Sequence, residues 1–221
     1  SGAANITGQC FGGLMASGLL NVVGEHMNGL QIAGIANITA SKLNGVQIAL
    51  CNYATQARGL QIGLVNYYKE DMKGFQLGLV NANPDTRVQM MVYGGNATPA
   101  NIGVRFKNQL FYTILGVGSM YQGLNDKFSA SASYRAGLSF PLYKGLSISG
   151  DLGYQHIEAF DNKDEVIPKR LYALQARANL EYQFTRKFGI FATGGYGLTR
   201  FYNKSSNYDK GAIIEAGIVL F

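Results

Sequence analysis

The chain of 221 residues is long enough for one large domain or two small ones, yet only 14% of it is charged, against about 25% in an ordinary soluble domain. Its 29 glycines, 4 prolines and mean hydropathy of +0.01 exclude a stack of membrane helices, and no apolar run approaches the roughly 18 residues that a spanning helix needs. The net charge of +6 arises wholly beyond residue 85, but no basic cluster is interleaved with aromatics, so a nucleic-acid partner is not expected.

The chain opens inside a repeat, without the basic and then apolar segments of a signal peptide, so the repeat is expected to extend upstream. Ala4-Asn5-Ile6-Thr7 matches Ala36-Asn37-Ile38-Thr39. Gly13, Gly29, Gly45, Gly59 and Gly74 open successive segments of the form Gly-apolar-Gln-apolar, with Met15 in the Gln position of the first. Asn21, Asn37, Asn52, Asn66 and Asn81 close them, at intervals of 16, 15, 14 and 15. Within a segment the period is two, which predicts strands. In Gly59-Leu60-Gln61-Ile62-Gly63-Leu64-Val65-Asn66, Leu60, Ile62 and Leu64 share one face and Gln61, Gly63 and Val65 the other. Polar stretches such as residues 67–73 read as turns between these strands. Cys10 and Cys51 fall at different phases of the repeat, so they are not expected to stack, and no metal-ligand spacing is present.

After Asn83-Pro84-Asp85 the repeat fades and the alternation sharpens. Eight strands are predicted at 87–95, 100–107, 109–121, 128–142, 145–159, 170–184, 187–202 and 210–221. Tight connections such as Tyr143-Lys144-Gly145 and Thr185-Arg186-Lys187 alternate with longer polar ones at 160–169 and 203–209, the habit of an up-and-down meander with two unlike ends. Ala130, Ala132, Tyr134, Ala136, Leu138 and Phe140 face one way, and Ser129, Ser131, Ser133, Arg135 and Ser139 the other.

A dozen-residue strand with an unbroken apolar face needs a partner for that face, either a second sheet or a bilayer. Lipid is favoured by charges of both signs at mid-strand on the opposite face, where a sandwich rarely puts them. Aromatics also gather near strand ends, as at a membrane interface. Arg105, Arg135, Asp151, Arg177, Glu181 and Glu215 are therefore candidate lumen charges, either paired into a plug or lining a pore that Arg105 and Lys107 tilt toward anions. Gln31, Gln47, Gln61 and Gln76 are candidate lumen amides. At the C-terminus, lipid-facing Phe221 would by parity carry Glu215 into lipid. Ala212, Ile214, Ala216, Ile218 and Leu220 are the better outward set.

The expected architecture is all-β: an antiparallel up-and-down transmembrane barrel of roughly fourteen strands, with residues 1–83 a repeat region and residues 84–221 a non-repetitive meander completing the barrel. The rival is a short β-solenoid over 1–83 beside an eight-stranded barrel. Equivalent turns in every repeat favour the solenoid, because a meander's turns alternate between two environments. A thin core with Gln at every repeat counts against it.

The GLQIGLVN-like units, together with Ile102-Gly103-Val104-Arg105-Phe106 and Phe111-Tyr112-Thr113-Ile114-Leu115-Gly116-Val117-Gly118, resemble the surface-repeat outer-membrane proteins of Bacteroidetes. The resemblance covers residues 1–120 well and the remainder by pattern. It implies an outer-membrane location and supplies no catalytic motif. His26 lies in a polar turn, His156 shares a strand face with Glu158, and neither sits in a nucleophile signature. Gly194-Gly195-Tyr196-Gly197 opens no helix and is no phosphate loop.

The expected function is non-enzymatic: a passive channel or the structural scaffold of a surface complex. The alternatives are a surface-exposed solenoid binding module anchored by a small barrel and, further back, a barrel lipid hydrolase. Expected partners are outer-membrane lipids and other outer-membrane or surface proteins, with no cofactor.

Overall fold

A computed structural model describes residues 1–119, 121, 124, 128–160, 170–202 and 207–221, and the chain divides into two units, Ser1–Thr86 and Arg87–Phe221.

The first unit is a parallel coil. Its strands are β1 (Ala4–Thr7), β2 (Phe11–Ser17), β3 (Leu20–Val23), β4 (His26–Ala33), β5 (Ala36–Ile48), β6 (Cys51–Ile62), β7 (Val65–Leu77) and β8 (Val80–Ala82). Each repeat makes one turn of the coil and lies in register on the next, so that Asn37 pairs with Asn52, Gly45 with Gly59 and Gln47 with Gln61. The early coils have two separate strands; from β5 onward the two run together through a register shift, at Thr39/Lys42 and Ala54/Gln56.

Stacking explains the repeat's invariable letters. Gly59 has φ of +130°, and a Cβ placed there would lie 2.0 Å from the carbonyl oxygen of Gly45 in the coil beneath. Only glycine fits a column that is both left-handed and this close. The asparagines form a ladder in which each Nδ2 donates to the Oδ1 of the next: Asn21 to Asn37 at 2.9 Å, Asn37 to Asn52 at 3.1 Å, Asn52 to Asn66 at 2.9 Å and Asn66 to Asn81 at 2.9 Å. The glutamines run the opposite way, with Gln47 donating to Gln31 at 2.8 Å, Gln61 to Gln47 at 2.9 Å and Gln76 to Gln61 at 2.9 Å. Between the ladders sits a small apolar core of Met15, Val23, Met27, Leu43, Ala54 and Ala57.

This arrangement corrects three expectations. The repeats are coils of a solenoid and not strands of a fourteen-stranded barrel. Gln31, Gln47, Gln61 and Gln76 are buried in the coil and line no barrel lumen. Residues 67–73 belong to the continuous strand β7, with the expected turn reduced to the register shift opposite Ala54/Gln56. The physical reason is common to all three. Amides are costly to bury singly, but at equal spacing in parallel register each one satisfies its neighbour, so the polar face can turn inward.

The second unit is a closed antiparallel barrel of eight strands in sequential order: β9 (Arg87–Gly95), β10 (Ala100–Asn108), β11 (Phe111–Ser119), β12 (Ser129–Tyr143), β13 (Leu146–Ala159), β14 (Arg170–Thr185), β15 (Phe188–Phe201) and β16 (Asn207–Leu220). β16 returns to pair with β9. The predicted strand ends fall within three residues of these. Of the expected long connections, 161–169 and 203–206 lie outside the described residues, as does residue 120 of the third predicted strand. Asn207–Asp209, expected in a connection, belong to β16.

Candidate functional site

The barrel has two surfaces of opposite character. Along β14, Leu171, Ala173, Gln175, Arg177, Asn179 and Glu181 point inward and are buried, while Leu174 and Leu180 point outward and are about half exposed.

All six predicted lumen charges meet inside the barrel, and none is more than 8% exposed. Arg105 holds Glu181 with both terminal nitrogens, at 2.6 and 3.0 Å, while its Nε donates to Gln89 at 2.6 Å. Arg135 grips Asp151 through Nε and Nη2, both at 2.9 Å. Asp151 also accepts from the Tyr112 hydroxyl and from Asn179 Nδ2, each at 2.8 Å. Glu215 lies 3.5 Å from Arg135 and 3.3 Å from Arg177, and Arg177 also donates to Gln175. Three cations thus face three anions in a medium where an uncompensated charge costs several kcal/mol. Met91, Tyr93, Tyr112, Ile114, Phe191 and Val219 pack at the same level, and Tyr121, Leu124, Ile157, Ala159, Leu171 and Ala173 fill the interior toward the longer connections. At these levels the interior is filled by its own side chains, and toward the rim of tight connections it opens into a cavity of about 350 Å³ lined by Gln89, Lys107, Glu181 and Gln183.

The outer surface carries exposed aliphatics on every strand, among them Val92, Ile102, Val117, Leu138, Leu152, Leu174, Ile190 and Ile214. Aromatics border this belt at both ends. Tyr143, Tyr182, Phe184 and Phe188 lie at the rim of tight connections, with Tyr182 edge-on to Phe184 at 4.8 Å. Phe128, Phe160, Tyr154, Tyr172 and Tyr202 lie toward the other. His156 belongs to this second group: its Nδ1 is 2.9 Å from the Tyr202 hydroxyl and its Nε2 is 3.7 Å from Glu158. At the C-terminus Glu215 and Val219 face inward, Ile214 and Leu220 outward, and Phe221 packs inside against the apolar cluster. Parity had pointed the same way.

Sequence reasoning missed the surface of the coil. With the glutamines inside, the aliphatics on the same strands face out in register. One column runs Leu14, Leu30, Val46, Leu60 and Phe75, and a second runs Ala16, Ile32, Ile48, Ile62 and Leu77. Leu19, Ile35, Leu50, Leu64 and Leu79 form a third row along the turns, each between 37% and 51% exposed. The signal lay in the equal turns, since only a coil would repeat Leu and Ile at constant phase on one outer wall. Cys10 and Cys51 are both free and exposed. Among the described residues no group of His, Cys, Asp and Glu is arranged to hold a metal.

No protein-family model matches the chain, and no curated protein does. Solved structures similar to it include the N-terminal β-barrel domain of Pseudomonas aeruginosa OprF, at 17% identity over 60% of this chain and 93% of that one, with a TM-score of 0.39. Neisserial surface protein A is 9% identical over 60% and 92%, with a TM-score of 0.38. The Yersinia pestis outer-membrane protein Ail, in a phospholipid bilayer nanodisc, is 14% identical over 62% and 99%, with a TM-score of 0.37.

Proposed function

We propose that residues 87–221 form an outer-membrane barrel whose filled interior makes it an anchor and not a pore, and that its cargo is the solenoid of residues 1–86, a binding module. The observation that carries this reading is the inversion of the barrel: a continuous aliphatic belt faces out while Arg105, Arg135, Asp151, Arg177, Glu181 and Glu215 are enclosed and mutually neutralised. Strands of 9 to 16 residues supply at least the roughly 9–11 that cross a bilayer at the usual tilt. Lipid supplies the partner the belt needs, and the two aromatic borders suit its interfaces.

The channel reading is the weaker one, because a solute would have to break buried charge pairs at 2.6–2.9 Å that span the interior. The aliphatic columns of the coil are its binding surface, suited to an apolar partner such as another membrane-associated protein. Catalysis is not part of the proposal. Replacing His156 with Ala would leave any trace of lipase activity in a preparation unchanged, and loss of activity would revive the hydrolase. The test of the anchor is conductance: the purified chain in planar bilayers passes no unitary current. Regular current steps that vanish with the protein would reverse the reading in favour of a channel.

A further inference from the structure

We infer that the solenoid hangs on the periplasmic side of the outer membrane, so that the partner of its aliphatic columns is a periplasmic one and not a component of the cell exterior. This rests on the outer-membrane reading above and adds a side to it. The two rims of the barrel are unlike. At one, β10 joins β11 through Gln109-Leu110, β12 joins β13 through Lys144-Gly145 and β14 joins β15 through Arg186-Lys187, two residues each time. At the other rim the connections span 96–99, 120–128, 160–169 and 202–206. Outer-membrane barrels keep their short turns in the periplasm and send their long connections outside.

β9 begins at Arg87 on the tight-turn rim, where its first residue pairs with Lys107. An even number of strands brings the chain back to the same rim, and the Phe221 amide donates to the Lys187 carbonyl at 3.1 Å. The solenoid is therefore joined to the barrel at the periplasmic rim. Two further facts keep it there. Between Ala82, the end of β8, and Arg87 lie only residues 83–86, so the two ends are at most about 17 Å apart at full extension, whereas the apolar belt of such barrels is about 25 Å tall. Those four residues are moreover folded into a turn, with the Asp85 amide and the Thr86 hydroxyl both donating to Asn83 Oδ1 at 3.0 Å. Nor can the solenoid pass through the barrel, whose interior is closed by Arg135 at 1% and Glu215 at 3% exposure.

The chain supplies its own probes, since Cys10 and Cys51 are its 2 cysteines, both free, exposed and confined to the solenoid. The full chain is placed in the outer membrane of a Gram-negative cell and treated with a membrane-impermeant maleimide before and after the outer membrane is permeabilised. A second variant, Cys10→Ser with Cys51→Ser and Asp209→Cys, carries a single thiol at an exposed position near the rim of long connections. The expected result is no labelling of the native cysteines in intact cells, full labelling after permeabilisation, and labelling of the Asp209→Cys variant in intact cells. Native cysteines labelled as strongly before permeabilisation as after would overturn the placement while leaving the membrane anchor standing. An Asp209→Cys thiol that reacts only after permeabilisation would overturn it as well. Recovery of the chain in the soluble fraction would instead remove the outer-membrane reading, and the placement with it.

Discussion

Asp151 accepts four hydrogen bonds, two from Arg135 and one each from Tyr112 and Asn179. Asp151→Ala leaves Arg135 and Arg177 enclosed with Glu215 as their remaining carboxylate neighbour, and breaking a buried pair in this way costs about 3–5 kcal/mol. The expected outcome is a fall in the temperature at which the folded barrel converts to the slower-migrating unfolded form on a gel. Tyr112→Phe, which removes a single donor, costs about 1–3 kcal/mol by the same measurement. In the other unit the sensitive residue is a glycine. Gly59→Ala meets both a left-handed φ of +130° and the Gly45 carbonyl at 2.0 Å. A strained backbone of this kind costs about 1–3 kcal/mol before the clash is counted. Proteolysis within residues 1–86 should accelerate while the barrel's gel transition stays where it was.

The strands of the barrel were almost fully legible in the sequence, and those of the coil only in part. An antiparallel strand between lipid and a polar interior alternates without interruption, so β12 and β14 announce their faces: Arg135 and Arg177 had to be inside once Leu138 and Leu174 were outside. In the coil the same period of two gave the strands and an enclosed face for the glutamines, but not what encloses them. Leu60-Gln61-Ile62 reads equally well as a barrel strand with its amide toward a lumen. The coil is chosen because Gln61 donates to Gln47 and accepts from Gln76, each at 2.9 Å, an arrangement that exists only once the repeats are stacked in parallel. The ladder also predicts a positional effect. Asn52 accepts from Asn37, donates to Asn66 and caps the Ile62 carbonyl at 2.8 Å, whereas Asn5 donates to Asn21 and is only partly covered. Asn52→Ala should therefore destabilise the solenoid by about 1–3 kcal/mol, with a clearly smaller loss for Asn5→Ala, read from denaturant unfolding of the full chain. Equal losses at the two positions would argue that the amides act independently.

For the whole molecule, two ways of satisfying polar groups stand in one chain. The solenoid pairs each amide with its copy in the next coil, and the barrel pairs each enclosed charge with an opposite charge from another strand. Both leave aliphatic side chains on the outside, on a broad belt in one unit and in narrow columns in the other, and the account turns on what wets the belt. The chain contains no tryptophan, so one introduced at Leu152, which is 71% exposed at mid-strand on the outer face, reports on that environment alone. In bilayers whose acyl chains carry bromine near their middle, emission from the Leu152→Trp variant should be blue-shifted and strongly quenched. Water-like emission that the brominated lipid leaves untouched would contradict the account.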